Sequence, residues 1–338
     1  MENPNPKTDE SQKEACNVPP TNPTDWGEDM MPPSKPDFIE EMENPKLDLE
    51  GIPSIPQFDD NIKLLRVDYS KNSIELMDKF RGILKTGEIS ERVYNLTTKV
   101  ISKFPTNYVA WVVRRQCLDK VKELDLNKEL LWLDYMMVVN QKNYQIWHHR
   151  KLLIDRLNDA SHEKKVLNEI FIDEHKNFHA WSHRIWMIRR FNNVEGELEF
   201  IEEMFKHDIK NNSAWNYRFF LIQFMNNNKI TKEIIESEIK YAIEKINKEP
   251  KNECPYCYIR GFVNKFKYKF SDFGIIKDEM EKIVNSPEKN NSYCMILLLD
   301  IYEEEKDENK FNGVIEALSS CDYIRKKYYS WRKINYNK

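Results

Sequence analysis

Hydrophobic positions along this chain recur with the spacing of α-helices. The pattern begins at SIELMDKFRGILKTGEISERVYNLTTKVISKF (73–104) and continues through Phe273–Val284, Ser292–Glu304 and Val314–Trp331. Apolar side chains return every three or four residues in these stretches, whereas no strand-like alternation is long enough to predict a sheet. The pattern predicts an all-α protein.

A repeated motif lies within the helical pattern. Trp follows Asn by four residues, and Arg follows Trp by three. A degraded fifth copy has Asn252 and Tyr256, with Ile259 in place of Arg, and successive aromatic positions are 36, 34, 34 and 41 residues apart. The four complete copies are Asn107, Trp111 and Arg114; Asn143, Trp147 and Arg150; Asn177, Trp181 and Arg184; and Asn211, Trp215 and Arg218.

The spacing of the motif has a structural interpretation. Asn is a favoured N-cap, and positions four and seven further on lie on the same face of the helix. A second amphipathic helix, such as Lys128–Val139 or Glu197–Phe205, separates one copy from the next. The tryptophans are therefore predicted to pack in the core of stacked helix pairs. We expect a right-handed α-α superhelix, a solenoid of six or seven helical hairpin repeats with a tetratricopeptide-like period.

The N-terminal segment differs in composition from the rest. Residues 1–60 contain 4 lysines, no arginine and 15 acidic residues, a net charge of −11, and hold 11 of the 15 prolines. Such a segment buries too little apolar surface to offset its conformational entropy. We therefore predict a disordered, acidic, Pro-rich arm over residues 1–55 and a helical-repeat domain over residues 56–338.

Several classes of protein do not fit the composition. The first fifteen residues, MENPNPKTDESQKEA, contain no apolar stretch, and no apolar run approaches the ~18 residues of a membrane span. The six cysteines are scattered, which is not typical of a secreted disulfide framework. The sequence therefore predicts a cytoplasmic protein without a membrane span. The remainder after residue 60 has a net charge of +7 with acids and bases intermixed, which does not favour nucleic-acid binding.

Two short motifs have the spacing of metal or redox sites. His179 and His183 are four residues apart, but neither the glutamate of an HExxH motif nor a third ligand accompanies them. Cys254 and Cys257 form a CxxC motif, which in redox proteins follows a strand. Here a predicted helix precedes it, and Tyr256 occupies the aromatic position of the repeat. No metal site is predicted in this chain, and the two cysteines are interpreted as residues of the repeat.

The repeats resemble those of the α subunits of protein farnesyltransferase and protein geranylgeranyltransferase type I. A period near 34 is also typical of tetratricopeptide repeats, but their Gly and Ala positions are missing. The resemblance covers roughly residues 60–335. It rests on KNYQIWHHRKLLIDRL (142–157), KNFHAWSHRIWMIRRF (176–191), NNSAWNYRFFLI (211–222), KNECPYCYIRGF (251–262), YSKNSIELMDKFRGIL (69–84) and SERVYNLT (90–97).

The resemblance implies a heterodimeric enzyme. The partner β subunit would supply the catalytic zinc and most of the isoprenoid pocket, with magnesium possible in farnesyl transfer. The enzyme would transfer farnesyl or geranylgeranyl from its diphosphate to the cysteine of a C-terminal CaaX sequence. This chain would be inactive alone. Two alternatives remain at this point: the α subunit of a Rab geranylgeranyltransferase, and a non-enzymatic tetratricopeptide-like scaffold that binds peptides.

The resemblance also implies site residues. Lys142 would approach the diphosphate, Tyr144 would lie beside it, and Gln145 would meet the CaaX carboxylate. In KNFHAW, His179 would bind substrate or lie at the subunit interface, and Phe178 stands where the family usually has Tyr. The missing hydroxyl at Phe178 puts in doubt any hydrogen bond made there.

Overall fold

The structure, a computed structural model, describes residues 36–57, 67–286 and 290–336. Over these residues it consists of sixteen α-helices and two short 3₁₀ helices, with no β-strand. The prediction of an all-helical repeat protein is confirmed. None of the helices in the described ranges is long and apolar enough to cross a bilayer. The predicted arm lies partly in residues 1–35, outside the described residues.

The chain divides into two compact units, residues up to Tyr135 and residues from Met136 onward. The first unit contains α1 (Asp37–Glu43), α2 (Lys71–Thr86), α3 (Glu91–Lys103), α4 (Tyr108–Lys120) and the start of α5 (Leu126–Val139). The second contains α6 (Tyr144–Leu157), α7 (Glu163–Asp173), α8 (Phe178–Phe191), α9 (Glu197–His207), α10 (Asn212–Met225), α11 (Lys232–Lys248), α12 (Glu253–Lys265), α13 (Gly274–Val284), α14 (Ser292–Glu305), α15 (Glu308–Cys321) and α16 (Lys326–Asn335).

The expected Val314–Trp331 helix is interrupted. Helix α15 ends at Cys321, and a 3₁₀ turn over Tyr323–Arg325 precedes α16. The hydroxyl of Tyr329 donates to the Asp322 carboxylate at 2.6 Å, which stabilises the turn between the two helices. Apolar periodicity alone did not reveal this break because it continues in phase on both sides.

The segment over residues 36–57 is packed, which differs from the disorder expected up to residue 55. Ile39 of α1 is fully buried, and Ile52 is 4% exposed. The Lys79 ammonium donates to the Ile52 carbonyl at 2.7 Å. Gly82 of α2 lies so close to this segment that an added Cβ would overlap the Pro53 carbonyl oxygen. A few apolar residues in an otherwise acidic stretch are sufficient to hold it against α2 and α3.

Two truncations should therefore differ in stability. Deleting residues 1–35 leaves every described contact intact, whereas deleting residues 1–55 exposes the surface that Ile39 and Ile52 cover. Burial of one such side chain is worth about 1.5–3 kcal/mol as an upper figure. We expect the thermal midpoint of the longer deletion to be lower by about 3–6 °C, measured by scanning calorimetry. As matched single variants, Ile39→Ala should reproduce part of the loss and Phe38→Ala, on a neighbour that is 44% exposed, should not. Equal midpoints for the two deletions would contradict this prediction.

The asparagine of each repeat caps the helix that follows. Its side-chain oxygen accepts a backbone N–H two or three residues later, which satisfies a donor that the first helical turn leaves unpaired. The predicted caps are confirmed at Asn107, Asn143, Asn177 and Asn211, and Asn252 and Asn291 cap α12 and α14 in the same way.

The aromatic residue of each repeat is buried and hydrogen-bonded. Its polar group donates to the backbone carbonyl six residues earlier, at 2.8–3.0 Å. At three of these carbonyls, those of His175, Ile209 and Pro250, the Nδ2 of the next repeat asparagine donates to the same oxygen, for example from Asn211 to His175 at 3.1 Å. One carbonyl thus joins consecutive repeats. The donor and acceptor pairs are Trp111 to Pro105, Trp147 to Gln141, Trp181 to His175, Trp215 to Ile209 and Tyr256 to Pro250.

The arginine of each complete repeat forms a buried ion pair with a glutamate of the following helix. The shortest nitrogen–oxygen distances are 2.6–2.9 Å, and both partners are at most 9% exposed. Paired charges of this kind are tolerated in a core because each satisfies the other. The pairs are Arg114 with Glu129, Arg150 with Glu163, Arg184 with Glu197 and Arg218 with Glu238.

In three of these pairs a third side chain comes from the next repeat. It stands two residues after the repeat aromatic residue of the next repeat and contacts the same glutamate. Tyr217 donates to Glu197 and Tyr258 to Glu238, each at 2.6 Å. At Glu163 the third group is His183, with its Nε2 at 2.7 Å from the carboxylate. His183 therefore belongs to the buried core.

His183 should make stability depend on pH. Burial lowers the pKa of His183 below its ordinary value of 6.5, although the hydrogen bond to Glu163 raises it, and the charges of Arg150 and Lys151 lower it further. Because the unfolded chain binds the proton more tightly, stability is fully present above about pH 6.5 and falls as the pH drops below that value. His183→Tyr, which copies Tyr217, should reduce the loss of thermal midpoint between about pH 7.5 and pH 5.5. His162→Tyr, at an exposed histidine, serves as the control. Equal pH dependence in His183→Tyr and the wild type would contradict the prediction.

Candidate functional site

The predicted site residues lie at the starts of two helices in the second unit. Lys142 precedes the cap of α6, Tyr144 is the first residue of that helix, and Gln145 is the second. His179 is the second residue of α8, behind its cap Asn177. The Lys142 side chain is 79% exposed and Tyr144 is 69% exposed, whereas Gln145 and His179 are half-buried. An incoming ligand can therefore reach the ammonium and the phenol directly.

His179 connects the two helix starts. Its ring lies edge-on to Tyr144 at 4.3 Å between centroids and is stacked on Trp147 at 6.0 Å. It also forms a hydrogen bond with the backbone of Lys142. Partial burial lowers the pKa of His179, against the raising effects of this hydrogen bond and of the Glu174 charge. The imidazole is therefore neutral at pH 7.

Lys142 forms an ion pair with Glu174, at 3.2 Å between Nζ and Oε1. Glu174 is the C-cap residue of α7, and its other oxygen accepts a hydrogen bond from Asn177 Nδ2 at 3.3 Å. The carboxylate thus lies between the lysine of one repeat and the cap of the next. No sequence pattern points to Glu174, because 32 positions separate it from Lys142.

The remaining two positions of the predicted site are Gln145, with a side-chain amide, and Phe178, with an apolar ring. The backbone N–H of Gln145 donates to Asn143 Oδ1 at 2.9 Å, while its side-chain amide makes no hydrogen bond within the described residues. Phe178 is 69% exposed, and its ring centroid is 5.6 Å from that of His179. The structure thus brings Lys142, Tyr144 and His179 together and leaves the Gln145 amide available to a ligand.

This arrangement is suited to binding an anion. It combines an exposed ammonium with three neutral hydrogen-bonding groups, a phenol, an imidazole and a carboxamide. It lacks a pair of groups arranged as nucleophile and base. Among the described residues, no group of three or more His, Cys, Asp or Glu side chains is placed to hold a metal ion.

The CxxC residues lie in the first turns of α12. Cys254 is half-buried and Cys257 is exposed, and both are free thiols. Burial, followed by the neighbouring Cys257, raises the pKa of Cys254 to about 11, and burial also raises the pKa of Cys257. A thiol with a raised pKa is a poor nucleophile at pH 7. This agrees with their interpretation as residues of the repeat.

Comparison with known proteins identifies the family. The model of the protein prenyltransferase α subunit repeat matches residues 90–121, 126–157 and 194–225. The farnesyltransferase/geranylgeranyltransferase type-1 α subunit of Dictyostelium discoideum is 32% identical over 277 residues, which cover 78% of this chain and 84% of the relative. The chain belongs to the protein prenyltransferase α-subunit family. This confirms the resemblance inferred from the repeats.

A solved structure supports the same membership. The Candida albicans protein geranylgeranyltransferase-I complexed with GGPP matches with a TM-score of 0.77 at 28% identity, over 87% of this chain and all of that chain. The Schizosaccharomyces pombe farnesyltransferase/geranylgeranyltransferase type-1 α subunit is 35% identical over 109 residues, but this match covers only 37% of that protein. The prenyltransferase repeat model contains Lys142, Tyr144 and Gln145 in its second match, while His179 lies outside all three.

Proposed function

We propose that this chain is the α subunit of a heterodimeric CaaX prenyltransferase. The observation that carries the proposal is the cluster of Lys142, Tyr144 and His179 at the junction of two repeats in a chain of this family. The heterodimer would transfer farnesyl or geranylgeranyl from its diphosphate to the cysteine of a C-terminal CaaX sequence. Membership of the family supports a transferase complex. The β subunit, the substrates and the inactivity of the chain alone are part of the proposal.

The reaction exchanges one bond for another. The cysteine first loses its thiol proton to water. Its sulfur then forms a bond to C1 of the isoprenoid while the bond from C1 to the diphosphate oxygen breaks, and the diphosphate leaves with the electron pair. Zinc held by the β subunit would lower the pKa of the thiol, and magnesium can accompany farnesyl transfer. His183 of this chain is engaged by Glu163 and contributes no zinc ligand in the proposal.

The residues of this chain act mainly on the leaving group. The Lys142 ammonium would neutralise charge that grows on the diphosphate as the bond breaks. Tyr144 would donate a hydrogen bond at the same side, and His179, which is hydrogen-bonded to the Lys142 backbone, would hold the Tyr144 ring in place. Gln145, whose amide makes no hydrogen bond within the described residues, would donate to the carboxylate of the CaaX peptide.

Co-expression with candidate β subunits tests the proposal. We expect a stable complex that transfers the prenyl group to a CaaX peptide and no transfer by this chain alone. Prenylation only of a Rab protein, with an escort protein present, would instead assign the chain to the Rab enzyme. A soluble chain that forms no complex with any β subunit would favour the peptide-binding scaffold. Either of these two outcomes overturns the proposal.

A further inference from the structure

In the ion pair between Lys142 and Glu174, the glutamate has more contacts with the protein than the lysine has. Glu174 is one-third exposed, and it contacts Asn177 as well as Lys142. The Lys142 side chain is 79% exposed and long enough to take other positions. The carboxylate is therefore the fixed partner, and the ammonium can leave it for another anion.

The same type of ion pair recurs in later repeats. Lys176 pairs with Asp208 at 3.2 Å, and Lys210 pairs with Glu249 at 3.3 Å. In every case the lysine precedes a cap asparagine, and the acid stands three residues before the next one. An exposed ion pair of this kind contributes little to stability. The pairs can therefore be broken without loss of the fold.

The Lys142 pair differs from the later two in its surroundings. Tyr144 and His179 lie beside it, and His179 is hydrogen-bonded to the Lys142 backbone. At the next pair the corresponding residues are Phe178 and Ser213, which offer no phenol and no imidazole. The first pair therefore combines an exchangeable ammonium with a neighbouring phenol that can donate a hydrogen bond.

We infer that Glu174 is a positioning residue that occupies the Lys142 ammonium until the prenyl diphosphate displaces it, and that it thereby limits the affinity for that diphosphate. This rests on the proposed function. A diphosphate carries several negative charges and takes the ammonium from a single carboxylate. Glu174 then remains nearby as a like charge, which weakens diphosphate binding.

The measurement is the dissociation constant of the prenyl diphosphate for the heterodimer, with inhibition by inorganic pyrophosphate as a second probe. Glu174→Gln removes the charge. It should lower the dissociation constant of the prenyl diphosphate and the inhibition constant of pyrophosphate by roughly three- to tenfold, the size expected for one like charge close to an exposed site. The single-turnover rate at saturating substrate should stay within about twofold, since Lys142 is retained. This split between affinity and rate is not expected from a general structural defect.

Three controls isolate the effect. Asp208→Asn removes the matched acid one repeat away and should leave the affinities for the prenyl diphosphate and for pyrophosphate unchanged. Glu174→Asp should keep wild-type affinity, because Asp208 shows that an aspartate reaches its lysine at the same 3.2 Å. In a Lys142→Ala background, Glu174→Gln should lose most of its effect, as a double-mutant cycle requires for residues that act through each other.

The failures are distinguishable. If the wild-type heterodimer transfers no prenyl group, the proposed function fails. If it is active but Glu174→Gln binds the diphosphate equally or more weakly, the inference about Glu174 is overturned. An equal gain in Asp208→Asn would also overturn it, because the effect would then be general to the row of ion pairs.

Discussion

Replacing Lys142 with alanine is expected to slow the chemical step of the heterodimer about 10- to 150-fold. A charge-assisted hydrogen bond is worth ~1.5–3 kcal/mol, and each ~1.36 kcal/mol corresponds to a factor of ten in rate. The ammonium would stabilise charge that develops on the departing diphosphate. Folding and association with the β subunit should survive, because the side chain is 79% exposed and its partner Glu174 is one-third exposed.

Single-turnover kinetics is the appropriate measurement for this variant. Steady-state turnover can report product release and would then conceal a slower chemical step. Lys176→Ala is the matched control, since Lys176 holds the same position one repeat later and pairs with Asp208 at the same 3.2 Å. It should change the rate by less than about twofold. A wild-type single-turnover rate in Lys142→Ala would leave Lys142 as an ordinary surface lysine.

Replacing Glu197 with alanine is expected to destabilise the protein by about 3–5 kcal/mol, because it leaves a buried guanidinium unpaired. Arg184 is 1% exposed and would keep its hydrogen bond to Asn168 at 2.8 Å and its contacts with the rings of Phe200 and Tyr217, but no anion. The Tyr217 hydroxyl would also lose its acceptor. Thermal or denaturant unfolding of the purified complex measures the change.

Two further variants test the origin of this loss. Glu199→Ala, at an exposed position of the same helix, should change stability by less than about 0.5 kcal/mol. Replacing both members, as Arg184→Met with Glu197→Leu, should cost less than Glu197→Ala alone, since no unpaired charge then remains. If Glu197→Ala and the double variant are equally stable, and both lose little stability relative to the wild type, the ion pair contributes little.

The helices could be predicted because the residues that specify a helix are close together in the sequence. Predicted Lys128–Val139 and Glu197–Phe205 appear as Leu126–Val139 and Glu197–His207. A sixth copy of the repeat, which begins at Asn291, was missed because Met295 and Leu298 replace the Trp and Arg. Both are buried and fill the same kind of core position. The asparagine is the better marker of the repeat, since only a few polar side chains can cap a helix.

The buried ion pairs could not be predicted in the same way. The glutamate is the first residue of α7 and α9, the fourth of α5 and the seventh of α11. Each of these four helices carries at least one further acidic residue besides the paired glutamate. Which acid meets the arginine therefore depends on how the two helices pack. The packing of residues 36–57 on α2 and α3 was missed for a related reason, because Ile39 and Ile52 are isolated in an acidic stretch.

The sequence by itself determined the all-helical repeat, the caps and the burial of the repeat aromatics, because each of these depends on residues at most seven positions apart. The family could also be recognised from the sequence, because its motifs are contained within single helices. Only the tertiary structure decided which charges meet. Glu174 lies 32 residues from Lys142, and Glu163 lies 20 from His183. Such pairs form because the helices of consecutive repeats lie side by side, and residue spacing along the chain does not encode that proximity.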